Sequence, residues 1–177
     1  MTHGTRPDAL EKATEVEPHK DSASSSRFND AFYSDCFARQ VVGQPFDTAL
    51  AAYLAMSAKA PRWVNRLLWL RDRIVAPFGM TPTHGFNAHQ KQAPVFKRDD
   101  PLDFFNVATI NPDELELQLR DRHFTVAISL YLYRKETAQI LYLTSIVTTR
   151  TRVGKGYVSV IAPFHRVVVK SMLNRLS

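Results

Sequence analysis

From residue 113 to residue 149 apolar and polar side chains alternate, and the breaks between the alternating runs are short. In "DELELQLRD", Leu115, Leu117 and Leu119 fall on one face, with Glu114, Glu116, Gln118 and Arg120 on the other. In "HFTVAISLYLYR", Phe124, Val126, Ile128, Leu130 and Leu132 alternate with Thr125, Ala127, Ser129, Tyr131 and Tyr133. "AQILYLTSIVTTRTR" reads as a third long strand. A parallel crossover needs a dozen or more residues, and the connections near 120–122 and 134–137 are far shorter, so these strands must pair as antiparallel hairpins. A sheet with one face this apolar has to be covered. The apolar C-terminal stretch that contains "VIAPFHRVVVKSML" is the natural cover. The fold expected is α+β: a curved antiparallel sheet wrapped around a long C-terminal helix.

Upstream, "NDAFYSDCFARQV" has the aromatic and β-branched character of a first strand. "GQPFD" is a turn whose Asp47 is placed to cap the helix "TALAAYLAMSA". A second helix, "RWVNRLLWLRDRIVA", opens beside Pro61 and ends before Pro77 and Gly79. Residues 79–101 read as loop, and "RVGKG" as the turn into the last helix. Residues 1–27 are polar and lack periodicity; they read as a disordered tail, leaving 28–177 as a single domain.

Hydrophobic content of 45% with 23% charged residues is that of a globular protein, and no apolar run approaches the roughly 20 residues that span a bilayer. With no apolar leader segment and one cysteine, a cytoplasmic protein is the expectation. The net charge is +6; the tail sets Arg6, Lys12, Lys20 and Arg27 against five carboxylates, so residues 28–177 carry +7. The cations are scattered and no nucleic-acid motif accompanies them, so no nucleic acid partner is expected and a solvated basic surface is the plainer reading.

Two polar residues sit where apolar ones belong. On a wheel of the last helix, Val158, Ile161, Ala162, Val168, Val169, Met172 and Leu176 lie within about 60° of His165, which directs the imidazole at the sheet. Pro163 marks that helix's first turn or a kink. In the second helix Val64, Leu67, Leu68, Ile74 and Val75 surround Arg71 in the same way. A buried unpaired guanidinium costs several kcal/mol, so Arg71 needs a carboxylate, a route to water or a wet cavity. Asp35, Asp99, Asp100 and Asp103 are candidate partners. A satisfied core histidine and a structural ion pair explain these two residues as simply as a shared polar pocket does.

Other signals are weaker. His84 and His89 with Asp99 and Asp100 match no metal-site spacing, and neither a metal nor a cofactor is expected. Cys36 lies in a strand rather than at a helix N-terminus and reads as an inert thiol. "RTRVGKG" lacks phosphate-loop spacing. The carboxylates of 113–116 read as a solvated face.

Several segments, taken in order, carry a resemblance: "PRWVNRLLWLRDRIVAPFG" at 61–79, the Asp/Phe opening at 103–105, "DRHF" at 121–124, the threonines before the last helix, and "PFHR" at 163–166. Over roughly residues 28–176 the chain resembles the bacterial domain-of-unknown-function family 2867, departing from it at "GKGY", where a Gly-Arg-aromatic turn is expected. That family carries no established activity. Its element order is similar to the START-like (helix-grip, SRPBCC) superfamily, which implies a cavity between sheet and C-terminal helix. Arg71, His165, Tyr131 and Met172 are the candidate ligand-binding residues.

The expected function is binding of a small hydrophobic or amphipathic molecule, anionic ones included. The alternatives are a cyclase, dehydratase or isomerase using His165 as general acid–base, and a non-catalytic regulatory or interaction protein. A homodimer is left open.

Overall fold

The structure, a computed structural model, describes residues 10–43, 45–83, 85–86, 95–136 and 138–176. The alternating segments form the middle of a seven-stranded antiparallel sheet. Its strands are β1 (Thr14–Glu15), β2 (Tyr33–Gln40), β3 (Pro101–Leu102), β4 (Phe105–Ile110), β5 (Glu114–Arg120), β6 (Phe124–Arg134) and β7 (Gln139–Thr149). They lie in the order β1-β2-β7-β6-β5-β4-β3, and the β4–β5 register shifts at a bulge between Val107 and Thr109. Three helices complete the α+β fold: α1 (Ala49–Ala58), α2 (Arg62–Val75) and α3 (Arg152–Leu173). α3 packs on β2 and β7, and α1 packs on β5 and β6.

Register decides which side chains meet the helices. Leu130 stands opposite Leu115 and Leu143, and Leu132 opposite Leu141; with Phe37 they form the apolar face under α1 and α3. The other face carries Glu114, Glu116, Ser129, Tyr131 and Tyr142.

That polar face is covered by the segment expected to be disordered. Residues 1–9 lie outside the described residues, but from Leu10 onward the chain runs against the sheet. Thr14 pairs with Ala38 in β2, and Leu10 packs with Ala38 and Ile140. The Ser22 hydroxyl donates to Glu114 Oε1 at 2.6 Å, the Ala23 N–H donates to the same carboxylate, and Ser129 donates from β6 at 2.8 Å. Arg27 pairs with Glu116, and His19 stacks on Tyr131 and Tyr133. Glu114 and Glu116 are therefore buried, each 6% exposed, rather than forming a solvated face. A buried carboxylate needs donors, and a polar segment supplies them, which is why this segment lacks hydrophobic periodicity.

Helix starts also differ from expectation. The cap of α1 is Thr48, whose hydroxyl accepts from Ala51 N at 3.1 Å, one residue beyond Asp47. "RVGKG" is the first turn of α3 rather than a preceding turn, because the Thr151 hydroxyl accepts from Gly154 N at 3.0 Å. Pro163 consequently lies in the helix interior.

The "DRHF" corner anchors that end of α3. Asp121 accepts from the N–H groups of His123 and Thr81, His123 Nδ1 bonds the Thr151 hydroxyl, and its Nε2 meets the Phe78 carbonyl. Burial alone raises the Asp121 carboxyl pKa; the His123 and Thr81 N–H groups outweigh it and hold the group below its usual value. Helix and corner touch so closely that a Cβ on Gly154 would lie 2.5 Å from the His123 carbonyl oxygen, whereas one on Gly156 would meet nothing within 4 Å.

Gly154→Ala is expected to lower unfolding free energy by about 1–3 kcal/mol through this overpacking. Gly156→Ala, two residues along the same turn, is expected to raise it by about 0.5–1 kcal/mol through helix propensity alone. Urea midpoints of the two variants check both signs.

Candidate functional site

A cavity of about 210 Å³ lies between α2, α3 and the apolar face of the sheet. Its walls are almost wholly apolar, with Val126, Ile128 and Leu143 from the sheet, Leu67 from α2, and Val168 and Met172 from α3. Phe164 lines it while being 52% exposed, so the cavity reaches solvent beside that ring. Arg71, His165 and Met172 all belong to this one wall. Tyr131 does not: the two-residue strand period turns it to the opposite face, where it stacks against His19 and lies tilted beside Tyr142.

His165 is held by three groups from the sheet. The Ser145 hydroxyl lies 2.8 Å from its Nε2, and Asp35 Oδ1 lies 3.6 Å from the same nitrogen. Tyr33 donates its hydroxyl to Asp35 Oδ2 at 2.5 Å, and its ring meets the imidazole edge-on. Asp35 and Ser145 sit opposite each other in the β2–β7 ladder, which places both under α3. Asp35 is 1% exposed, and its Oδ1 makes no hydrogen bond among the described residues. Burial pushes its carboxyl pKa up, but His165 beside it, then the Tyr33 and Ser145 hydroxyls, bring it below its ordinary value. The Tyr33 hydroxyl moves the other way, raised by burial and by its bond to Asp35.

This is not a nucleophilic triad. There the carboxylate and the serine address different imidazole nitrogens; here both address Nε2, and Ser145 is fully buried. Proton exchange with a bound molecule would have to use Nδ1.

Arg71 finds a different partner from those expected. Its Nη1 contacts the neighbouring Asp72 and the Thr81 carbonyl at 2.8 and 2.7 Å, and its Nε donates to the Tyr157 hydroxyl of α3 at 2.8 Å. Thr83 binds Asp72 from the far side through both N–H and hydroxyl. Burial disfavours the guanidinium charge, and Tyr157 and Asp72 outweigh it, so the pKa is raised. Of the expected partners, Asp35 serves His165, Asp103 accepts from Tyr53 at 2.6 Å, and Asp100 accepts from Lys97 N.

Tyr33, Ser145 and Tyr157 are site residues that the sequence pattern does not single out, and Asp35, a candidate partner for Arg71, serves His165 instead. The signal for Ser145 was there: it interrupts the apolar side of β7 between Leu143 and Val147. Cys36 is fully buried with Thr144 donating to its sulfur, and burial pushes the thiol up to about 12, in keeping with an inert group. His84 and His89 lie outside the described residues, and among those described no three His, Cys, Asp or Glu side chains converge as metal ligands.

The chain belongs to the family described as "Protein of unknown function (DUF2867)", whose model matches residues 27–172. No curated protein matches it.

Because the Asp35 carboxyl has a lower pKa folded than unfolded, the unfolded chain takes up the proton first. The stability Asp35 contributes is therefore complete above the ordinary carboxylate range and is lost as pH falls below about 4. Asp35→Asn is expected to cost about 1–3 kcal/mol at pH 7. Urea midpoints from pH 7 to 2 should show that deficit shrinking in the acid range.

Proposed function

We propose that this member of the DUF2867 family binds a small hydrophobic or amphipathic molecule in the cavity under α2 and α3. The observation that carries this reading is a cavity with almost entirely apolar walls and two rigidly held polar clusters, the composition of a ligand pocket. A curved antiparallel sheet beneath a long C-terminal helix also supports the START-like reading, in which that space holds apolar ligands.

Size and charge narrow the ligand. A volume of about 210 Å³ is below the roughly 300–1,000 Å³ of drug-sized pockets and above the roughly 150 Å³ cavity that admits benzene. A single ring or a short acyl chain fits; a sterol does not. Arg71 already has Asp72 as counter-charge, which favours a hydroxyl or carbonyl over a carboxylate as the polar end. Ligand exchange would pass beside Phe164.

A second reading, an isomerase, dehydratase or cyclase with His165 as general acid–base, is favoured by the buried Asp35 behind the imidazole. It requires a pH-dependent turnover that His165→Gln abolishes.

The binding reading is tested by titrating octanol and octanoate into the protein by calorimetry. Octanol is expected to bind more tightly, and Ala162→Phe, which fills the cavity from α3, to weaken binding by roughly tenfold or more. His165→Ala and Arg71→Ala should each weaken it as well. Ala162→Leu serves if the larger ring prevents folding, and unchanged affinity in either folded variant sinks the proposal.

A further inference from the structure

α2 is poorly buried for a helix of 14 residues: only Val64, Arg71 and Val75 are buried. Its Trp63, Leu70 and Ile74 are 41%, 47% and 59% exposed, and Phe78 just beyond is 55% exposed. With Leu67, the first three fall within about 60° on the helical wheel. α3 repeats the pattern with Val153, Val160, Phe164 and Val167, exposed by 43% to 65% and again within about 60°. Scattered exposed apolar residues need no explanation. Here they form two stripes at heptad spacing, and Leu67 and Phe164, one in each helix, border the same cavity. Patches of this kind mark interaction sites.

The surrounding charge identifies the partner. Arg62, Arg66 and Arg73 are exposed along α2. The only carboxylate of that helix, Asp72, is engaged by Arg71 and Thr83, and α3 contains no Asp or Glu. We propose that this face docks on an anionic phospholipid bilayer, with the Trp63–Leu67–Leu70–Ile74 stripe and Phe164 entering the headgroup boundary and the arginines meeting lipid phosphates. Trp, Phe and Leu on one flank with cations beside them is the composition of an interfacial helix. A second copy of the chain fits poorly, because a self-complementary contact would bring two cationic flanks together with no free carboxylate on α2 or α3 to meet them. No described helix is long and apolar enough to cross a bilayer, so the contact is peripheral. The inference goes beyond ligand binding and does not depend on the cavity being filled.

The test uses the full chain with vesicles of phosphatidylcholine alone or mixed with phosphatidylglycerol. Both tryptophans of the protein, Trp63 and Trp69, are in α2, so a Trp69→Phe background leaves Trp63 as a single fluorescent reporter. The expected result is co-sedimentation with the anionic vesicles, roughly tenfold or more stronger than with neutral ones, and a blue shift of Trp63 emission. Leu70→Asp with Ile74→Asp, both exposed positions, is expected to abolish binding at unchanged circular dichroism. Arg66→Gln with Arg73→Gln is expected to remove the anionic preference. No binding to either vesicle overturns the proposal, as does equal binding to both. A stable dimer that Leu70→Asp/Ile74→Asp dissociates, without vesicle binding, overturns it in favour of a second copy.

Discussion

An ionised group stripped of water must be met by a partner, and several of the joins that set the alignment of this fold are made that way. Asp35 in β2 meets His165 in α3, Arg71 in α2 meets Tyr157 in α3 and the Thr81 carbonyl, and Glu114 in β5 meets Ser22 and Ala23. At the far end of α3, Arg39 in β2 caps the Leu173 carbonyl and so helps to secure the helix C-terminus. Apolar contacts bring sheet and helices together; these charged groups decide which residue faces which. Truncating one member of such a pair costs more than the pair gains, so the arrangement favours a single alignment of α3 over β2 and β7.

The cavity follows from how α2 is held. α1 and α3 press Met56, Val169, Met172 and Leu173 into the sheet. α2 adds only Val64 and Val75 to the buried apolar residues, Val75 beside Phe124, Val147 and Val158, and is tied further by polar side chains: Arg71 reaches α3, and Asp72 reaches Thr83. A helix with so few buried apolar side chains, held also by long polar arms, leaves a space beneath it that its own Leu67 and Leu68 line together with apolar residues of the sheet and α3. The segments at 121–124 and 163–166 divide accordingly. The first is a structural joint, while the second contributes His165 and Phe164 to the cavity wall.

Much of this was legible in the sequence wherever a periodic signal existed. Alternation through β5, β6 and β7 set the antiparallel pairing, and the wheel of α3 placed His165 toward the sheet. What stayed hidden were contacts between polar residues far apart in the chain, because polar side chains look alike whether they bind water or a buried carboxylate. The N-terminal segment is the clearest case: its serines and His19 read as solvated until Glu114, Tyr131 and Tyr133 stand beneath them. Arg71 shows a second limit. A wheel points it at distant aspartates, whereas its partner is the adjacent Asp72, which also accepts from Thr83. Tyr131 was assigned to the ligand although the same alternation that revealed the strand turns it away from the helix.

The single sulfur of the chain has a practical consequence. Cys36 is fully buried in β2 beneath the N-terminal segment, whose Val16 N–H donates to its carbonyl, with Thr144 bonded to its sulfur and its thiolate disfavoured. Cys36 stands opposite Thr144 on the face turned away from α3, so an alkylating reagent reaches it when the N-terminal segment lifts, and the rate of labelling is a clock for that opening.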